Sequence, residues 1–392
     1  MYSSVELFSG AGGLALGLAA AGFHHEALLE WNIHACKTLQ FNKNAGFQPL
    51  NTWNIIEGDA SDFNFLSLDK PIDLVAGGPP CQPFSLGGKH KCYDDKRDMF
   101  PIAVKAVREL CPNAFVFENV KGLLRDAFTQ YVSYLTLQLN YPDVIKYNNE
   151  LWEEHLSRLE KRSLVNSDSA YEYRTIRHLM NAADYGVPQK RERVFIVGFR
   201  SDLGVEWKIP EKTHCEDALY WAKWITGEYW DEHRISKLER PEPTNRDKAH
   251  TNKICNKYGM FGPPFPRWRT VRDAIANLSD KSLNHETRRG ARHYVGHTGS
   301  DIDEPAKALK AGDHGVPGGE NMVRNQDNSV QYFSVRESCR IQTFPDDFYI
   351  SGSWTEGMRQ IGNAVPVKLA EAVGHSIHQH LDSALSKRKS VE

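Results

Sequence analysis

Cys81 lies in Gly77-Gly-Pro-Pro-Cys-Gln-Pro-Phe-Ser, directly after the apolar run 72–76. Two prolines fix the backbone that leads into the thiol, and the flanking glycines let a planar substrate come close. A lone cysteine in a rigid loop at the carboxyl end of a strand is where an activated thiolate would stand, ready to add to an electrophilic carbon. The tail of the loop, Gly87-Gly-Lys89-His-Lys91, is basic and rich in glycine, which suits closure over a polyanion. An acid follows at the end of the next apolar run, in Phe117-Glu118-Asn-Val, on the same sheet edge as Cys81. Further on, Gln189-Lys-Arg191-Glu-Arg193-Val-Phe enters another strand, and strand alternation puts Gln189, Arg191 and Arg193 on one face.

A second constellation opens the chain. Strand 5–8 runs into Phe8-Ser-Gly10-Ala-Gly12-Gly13-Leu14 and then into a helix over 14–21, the order that brings backbone against a ligand in doubly wound sheets. The turn departs from G-x-G-x-x-G. Glu30, beside Trp31, can accept hydrogen bonds from a ribose while the indole covers a purine, and Asp59, before Ala60, can accept from an adenine amino group. A tight turn with capping acids is the competing structural explanation.

Positioning these groups takes a βαβ framework. Short apolar strands at 27–29, 72–76 and 114–117 alternate with helix-length segments such as 101–110, which predicts an α/β fold with a doubly wound, mainly parallel sheet. A strand over 193–199 follows 171–183, whose spacing fits strand or helix; residues 148–162 read as a polar, helix-forming insertion. After residue 200 the chain turns irregular and rich in Pro, Gly and aromatics, the mark of a second, smaller domain. Helical periodicity returns over 365–385. The expected division is 1–200, 201–354 and 355–392.

Bulk properties constrain little else. A net charge of −2 leaves any nucleic-acid partner to local basic surface, of which 287–297, with Arg288, Arg289 and Arg292 and no acid, is a candidate and a solvated loop the alternative. Seven scattered cysteines form no C-x-x-C pair, which argues against a disulfide framework or a structural zinc. His293 and His297 lack the glutamate of H-E-x-x-H, so no metal is expected. No apolar stretch is long enough for a membrane span, and a cytoplasmic protein is expected.

In combination the pieces resemble the cytosine-5 DNA methyltransferase family. Residues 8–13, Glu30-Trp31, Asp59, Pro79-Pro-Cys-Gln-Pro-Phe-Ser, Glu118-Asn-Val, Gln189-x-Arg-x-Arg, Arg336-Glu and Gly362-Asn-Ala-Val-Pro are similar to its successive motifs, in order. The resemblance implies a Rossmann-like catalytic domain with S-adenosyl-methionine as methyl donor and duplex DNA as substrate. It implies Cys81 as nucleophile, Glu118 and Arg193 on the pyrimidine, and Arg191 beside them in the catalytic set. Phe8, Gly10, Gly12, Gly13, Leu14, Glu30, Trp31, Asp59, Ala60 and Pro79 would hold the cofactor, with Asn363 and Ala364 at its methionine end. Gln82, Ser85, Lys89 and Lys91 would touch DNA from the loop, and Arg288, Arg289 and Arg292 from a target-recognition region within 201–331. The first motif starts at Val5, which suggests a bacterial or phage modification enzyme acting as a monomer, with a restriction endonuclease sharing its site as an indirect partner. An RNA methyltransferase of the same family and a non-catalytic DNA-binding relative are the alternatives.

Overall fold

The computed structural model describes residues 1–80, 98–165, 172–312 and 318–389. The first strands are β1 (Tyr2–Leu7), β2 (Phe23–Glu30), β3 (Ile55–Glu57), β4 (Leu74–Gly77), β5 (Ala114–Val120) and β6 (Tyr173–Asn181); β7 (Gln189–Lys190) and β8 (Glu192–Arg200) follow. Seven of them form one sheet in the order β3-β2-β1-β4-β5-β8-β6. The pairs from β3 through to β5 are parallel, whereas β8 runs antiparallel to β5. The order reverses between β1 and β4, which opens the crevice where such sheets bind ligands. Central strands covered on both faces read as unbroken apolar runs, as in the fully buried Ala114-Phe-Val-Phe of β5.

The helices of this layer are α1 (Gly13–Ala20), α2 (Ile33–Asn44), α3 (Phe100–Leu110), α4 (Thr129–Asn140) and α5 (Trp152–Ser163). The core between sheet and helices includes Val5, Leu7, Phe100, Phe115, Phe117 and Leu135. Each fully buried side chain of this size is worth about 1.5–3 kcal/mol. Gly198 of β8 lies opposite Phe115, and a Cβ there would sit 2.2 Å from the ring, so only glycine lets β8 close onto β5. The segment 171–183 resolves into a strand, β6, and the 148–162 insertion carries α5.

The chain divides into two compact units: 1–180 with 192–210 and 370–392, and 181–191 with 211–369. The second contains α6 (Glu216–Trp224), α7 (Glu228–Glu232), α8 (Asn245–Tyr258), α9 (Val271–Ile275), α10 (Val335–Ile341) and α11 (Trp354–Asn363). Its strands are β7, β9 (Ser300–Asp301), β10 (Ala306–Lys307), β11 (Met322–Arg324) and β12 (Val330–Tyr332), in a parallel β7/β10 pair and a β12-β11-β9 sheet. Leu219, Tyr229, Trp230 and Trp268 form its aromatic core. The last helix, α12 (Val367–Lys389), begins in this unit and returns to the first, where Gly374 packs on Leu18 and Ala21, and Asp382 accepts a hydrogen bond from Tyr2 at 2.8 Å.

Candidate active site

Strand register lines up the expected residues on one edge. Leu7 is level with Leu29 of β2 and Gly77 of β4, and Gly77 is level with Phe117 of β5. The turn after β1, Glu30, the loop after β4 and Glu118 therefore share the carboxyl edge of the sheet, and Asp59 follows β3 on that edge, since Glu57 is level with Glu30.

At the turn, Gly12 holds φ at 87°, in the left-handed region that costs glycine little, and caps α1 without a side chain. Phe8 also has positive φ, 57°, which marks local strain in a residue with a side chain. Glu30 fastens the turn from β2: its Oε2 accepts from the Gly10 N–H and its Oε1 from the Asn32 N–H, each at 2.7 Å. Burial pushes the Glu30 carboxyl above the usual range, partly offset by the backbone donors of Asn32, Gly10 and Trp31. Asn32 caps α2 through the amides of His34 and Ala35, so Trp31 has a fixed backbone on both sides and an indole 72% exposed. Gly10 faces open space. Gly13, Leu14, Ala60 and Pro79 are buried, whereas Asp59 is exposed and accepts from the Ser61 N–H at 2.9 Å.

At the next strand ends, the antiparallel β8 supplies the geometry. Val120 is opposite Arg193 and Glu118 opposite Phe195, so Glu118 and Arg193 are diagonal neighbours on one face. Glu118 Oε1 meets Arg193 Nε at 2.7 Å, both largely buried. Burial pulls the guanidinium below its ordinary value and the Glu118 carboxylate opposes that shift. Gly78 faces the other carboxylate oxygen, where even a methyl group would come within 3.4 Å of Oε2. Asn119, buried, donates to the Pro79 carbonyl at 3.0 Å, and the Met99 N–H donates to the Pro80 carbonyl at 3.3 Å. Cys81, Gln82, Ser85, Lys89 and Lys91 lie outside the described residues.

Arg191 stands apart from Arg193. It falls between β7 and β8, belongs to the second unit and is fully buried. Its guanidinium donates to the carbonyls of Leu309 (3.0 Å), Gly362 (2.6 Å) and Ala364 (3.1 Å). The last two flank Asn363, whose exposed side chain is thereby held on a fixed turn beside the buried Ala364. Gln189 assists, accepting from the Leu309 N–H and donating to Gln342. Arg336 has a like structural task, donating to the carbonyls of Leu283, Pro345 and Phe348. Replacing Arg191 by alanine is expected to destabilise this unit by several kcal/mol, since each buried carbonyl left unpaired costs about 1–3 kcal/mol. Urea unfolding followed by tryptophan fluorescence would measure it, and a loss below about 1 kcal/mol would mean the carbonyls find other donors.

Arg288, Arg289 and Arg292 are exposed, in an irregular stretch. Arg288 lies over the Trp354 ring at 4.1 Å and the Tyr332 ring at 5.7 Å. His297 is buried, stacked on Tyr294 at 4.5 Å, while His293 is exposed. Among the described residues no helix is long and apolar enough to cross a membrane. The Asn119 to Pro79 bond and the clamping role of Arg191 are not legible in the sequence; the only signal for either is its place inside a motif.

A mainly parallel seven-stranded sheet with β8 antiparallel to β5, a glycine turn at its switch point and an acid paired with a guanidinium on the same edge define a Rossmann-like α/β enzyme. The chain belongs to the C-5 cytosine-specific DNA methylase family, whose model matches residues 2–379, and is a DNA (cytosine-5-)-methyltransferase. It is 32% identical over 390 residues to the type II methyltransferase M.PspPI of Psychrobacter, covering 98% of this chain and 80% of that protein. It is also 32% identical over 376 residues to M.NgoMIV of Neisseria gonorrhoeae, with 96% and 97% coverage. Among solved structures, a putative DNA modification methyltransferase encoded within an E. coli prophage shares the fold, with a TM-score of 0.59, 20% identity and coverage of 97% and 100%.

Proposed function

We propose that the chain methylates carbon 5 of cytosine within a specific duplex sequence, with Cys81 as the nucleophile and S-adenosyl-methionine as donor. What carries this reading is the Glu118–Arg193 pair at 2.7 Å, set beside Gly78 three residues before Cys81. Cytosine C5 is a poor nucleophile until a thiolate adds to C6, which makes the ring enamine-like. Glu118 then bonds N3 and the exocyclic amine as charge develops there, and Arg193 contacts O2 while fixing the carboxylate. Asn119 holds the backbone that leads to the thiol. C6 is inaccessible in a stacked duplex, so the base must be flipped out.

The cofactor edge fits an adenosine. Glu30 is fastened at the turn, Trp31 presents an exposed indole, Gly10 borders open space, and Asp59 is exposed for an amino group. When bound, the sulfonium supplies an electrophilic methyl group. Arg191 serves by holding the turn that carries Asn363 rather than by touching the base. Because burial raises the Glu30 carboxyl, the affinity for S-adenosyl-methionine should fall on acidification at a pH above that of an ordinary glutamate, about 4.3. Glu30→Gln should remove that step from a plot of Kd against pH; a wild-type plot flat down to about pH 4.3 would remove Glu30 from the ribose.

Sequence choice is assigned to the second unit, through 262–269 and 287–297, with Arg288 and Arg289 on phosphates and Arg292 beside them on the DNA. The type II relatives suggest a modification role beside a restriction endonuclease, in a cytoplasmic monomer. Bisulfite sequencing of DNA from expressing cells reads both reaction and target. Unmodified genomic DNA beside methylated tRNA would favour the RNA-directed alternative.

A further inference from the structure

Glu6 of β1 enters none of the chemistry above. It is 1% exposed, and strand alternation sets it on the face opposite Val5 and Leu7, which belong to the apolar core. On its own face it meets α1. The Glu6 carboxyl accepts from the Ala15 N–H, while His25 of β2 donates through Nε2 to the Ala15 carbonyl at 2.9 Å. Burial pulls the His25 ring down to about 4, so it does this as a neutral imidazole. Both polar backbone groups of Ala15 are therefore held by side chains of the sheet.

Those bonds fall where α1 lacks a device of its own. The leading amides of a helix have no partner inside it, yet the cap residue Gly12 brings no side-chain bond and the first turn holds no acid. Ahead of the helix, the turn is tied down amide by amide. The Ser9 N–H donates to the Leu29 carbonyl at 3.1 Å, Gly10 to Glu30, and Gly12 to the Ser9 carbonyl at 2.9 Å. Ala15 continues the series with Glu6 as its acceptor.

Glu6 has no counter-charge on the elements around it. Neither α1 nor β4 carries an ionisable side chain, and β2 presents the neutral His25 and a second acid, Glu30. The Oε2 atom of Glu6 is buried with no hydrogen-bond partner among the described residues, a position too costly for an ion. Burial pushes the Glu6 carboxyl well above the usual carboxylate range; the Ala15 amide pulls the other way, and Glu30 adds to the rise. The group is thus a neutral hydrogen-bond acceptor, which glutamine can imitate and methionine, of similar volume, cannot. We propose that Glu6 is a positioning residue for the cofactor turn: from beneath, through the Ala15 amide, it fixes the first turn of α1 as Glu30 fixes Gly10 from β2, so that the glycine loop stands ready before S-adenosyl-methionine arrives. The proposal rests on the reading of the chain as an S-adenosyl-methionine-dependent enzyme.

The full-length protein is compared as Glu6→Gln, Glu6→Met and the core control Val5→Ala. Four quantities are read: amide hydrogen exchange over residues 8–16 in the free protein, the calorimetric Kd for S-adenosyl-methionine, kcat at saturating cofactor, and the melting temperature. Glu6→Met should speed exchange over 8–16 and weaken Kd, each by about 10-fold, the size of one lost hydrogen bond, with kcat unchanged. Glu6→Gln should match the wild type in every readout. Val5→Ala should lower the melting temperature and leave Kd and the exchange of this segment alone. A glutamine variant as impaired as the methionine one would overturn the proposal by making Glu6 a needed charge. Unchanged exchange and Kd in Glu6→Met, or an equal loss of affinity in Val5→Ala, would overturn it by returning Glu6 to the core. Should Glu6→Met not fold, Glu6→Ala takes its place. If the wild type binds no S-adenosyl-methionine, the functional reading fails, whereas exchange in the free protein still decides whether Glu6 holds the turn.

Discussion

Cys81→Ser should abolish methyl transfer and leave S-adenosyl-methionine binding largely intact. In the proposed reaction the thiolate forms the bond to C6, C5 then takes the methyl group, and loss of the C5 proton lets the C6–S bond break and returns the thiolate. A serine hydroxyl is far less acidic than a thiol, whose pKa is about 8.5, and offers almost no anion at neutral pH. The groups proposed for the adenosine lie on or just after β1, β2 and β3, so cofactor affinity should be largely insulated from the change. On a duplex with 5-fluorocytosine at the target, the wild type should form an adduct that survives denaturing electrophoresis, because fluorine cannot leave as a proton does. Turnover of the serine variant at the wild-type rate, or absence of the adduct with active enzyme, would remove Cys81 from the chemistry.

The second large effect belongs to Glu118. Glu118→Gln should lower kcat by about 10²-fold or more, as expected where an acid acts in the transition state, without a matching loss of DNA affinity. Its carboxylate is oriented by Arg193 at 2.7 Å, so Arg193→Lys should reproduce part of the loss by freeing the acid to rotate. Equal losses in Kd and kcat for Glu118→Gln would make it a residue that positions the base and nothing more.

The parallel core is legible because its strands are short apolar runs closed by turn chemistry, and β1, β4, β5 and β8 stand where those runs predict. Helix α2 is not, since Thr38 and Asn42 take up buried positions on its inner face and break the apolar period; Asn42 satisfies itself on the Thr38 carbonyl at 2.8 Å. Alternation groups Arg191 with Arg193. It fails as a guide there because Gln189 and Lys190 pair with β10 while Arg193 onward pairs with β5, so the pleat does not run through Arg191. The candidate residues of the edge are legible from motif order, but the bonds that fix them, from Asn119 to Pro79 and from Gly10 to Glu30, depend on neighbours distant in sequence.

The antiparallel pairing of β8 with β5 has an evolutionary corollary. Strand register alone brings Arg193 to Glu118, and α4, α5 and β6 lie in the chain between the two strands. Loop-closure entropy rises only logarithmically, by about 0.6 kcal/mol for each doubling of length, so chain can be added at the surface of this connection at little thermodynamic penalty. Helix α5, whose Arg158 folds back over the Tyr147 ring at 4.0 Å, is an appendage of that kind. Descendants of such an enzyme can therefore acquire new outer surface between the two halves of the Glu118–Arg193 pair while the pair itself stays in place.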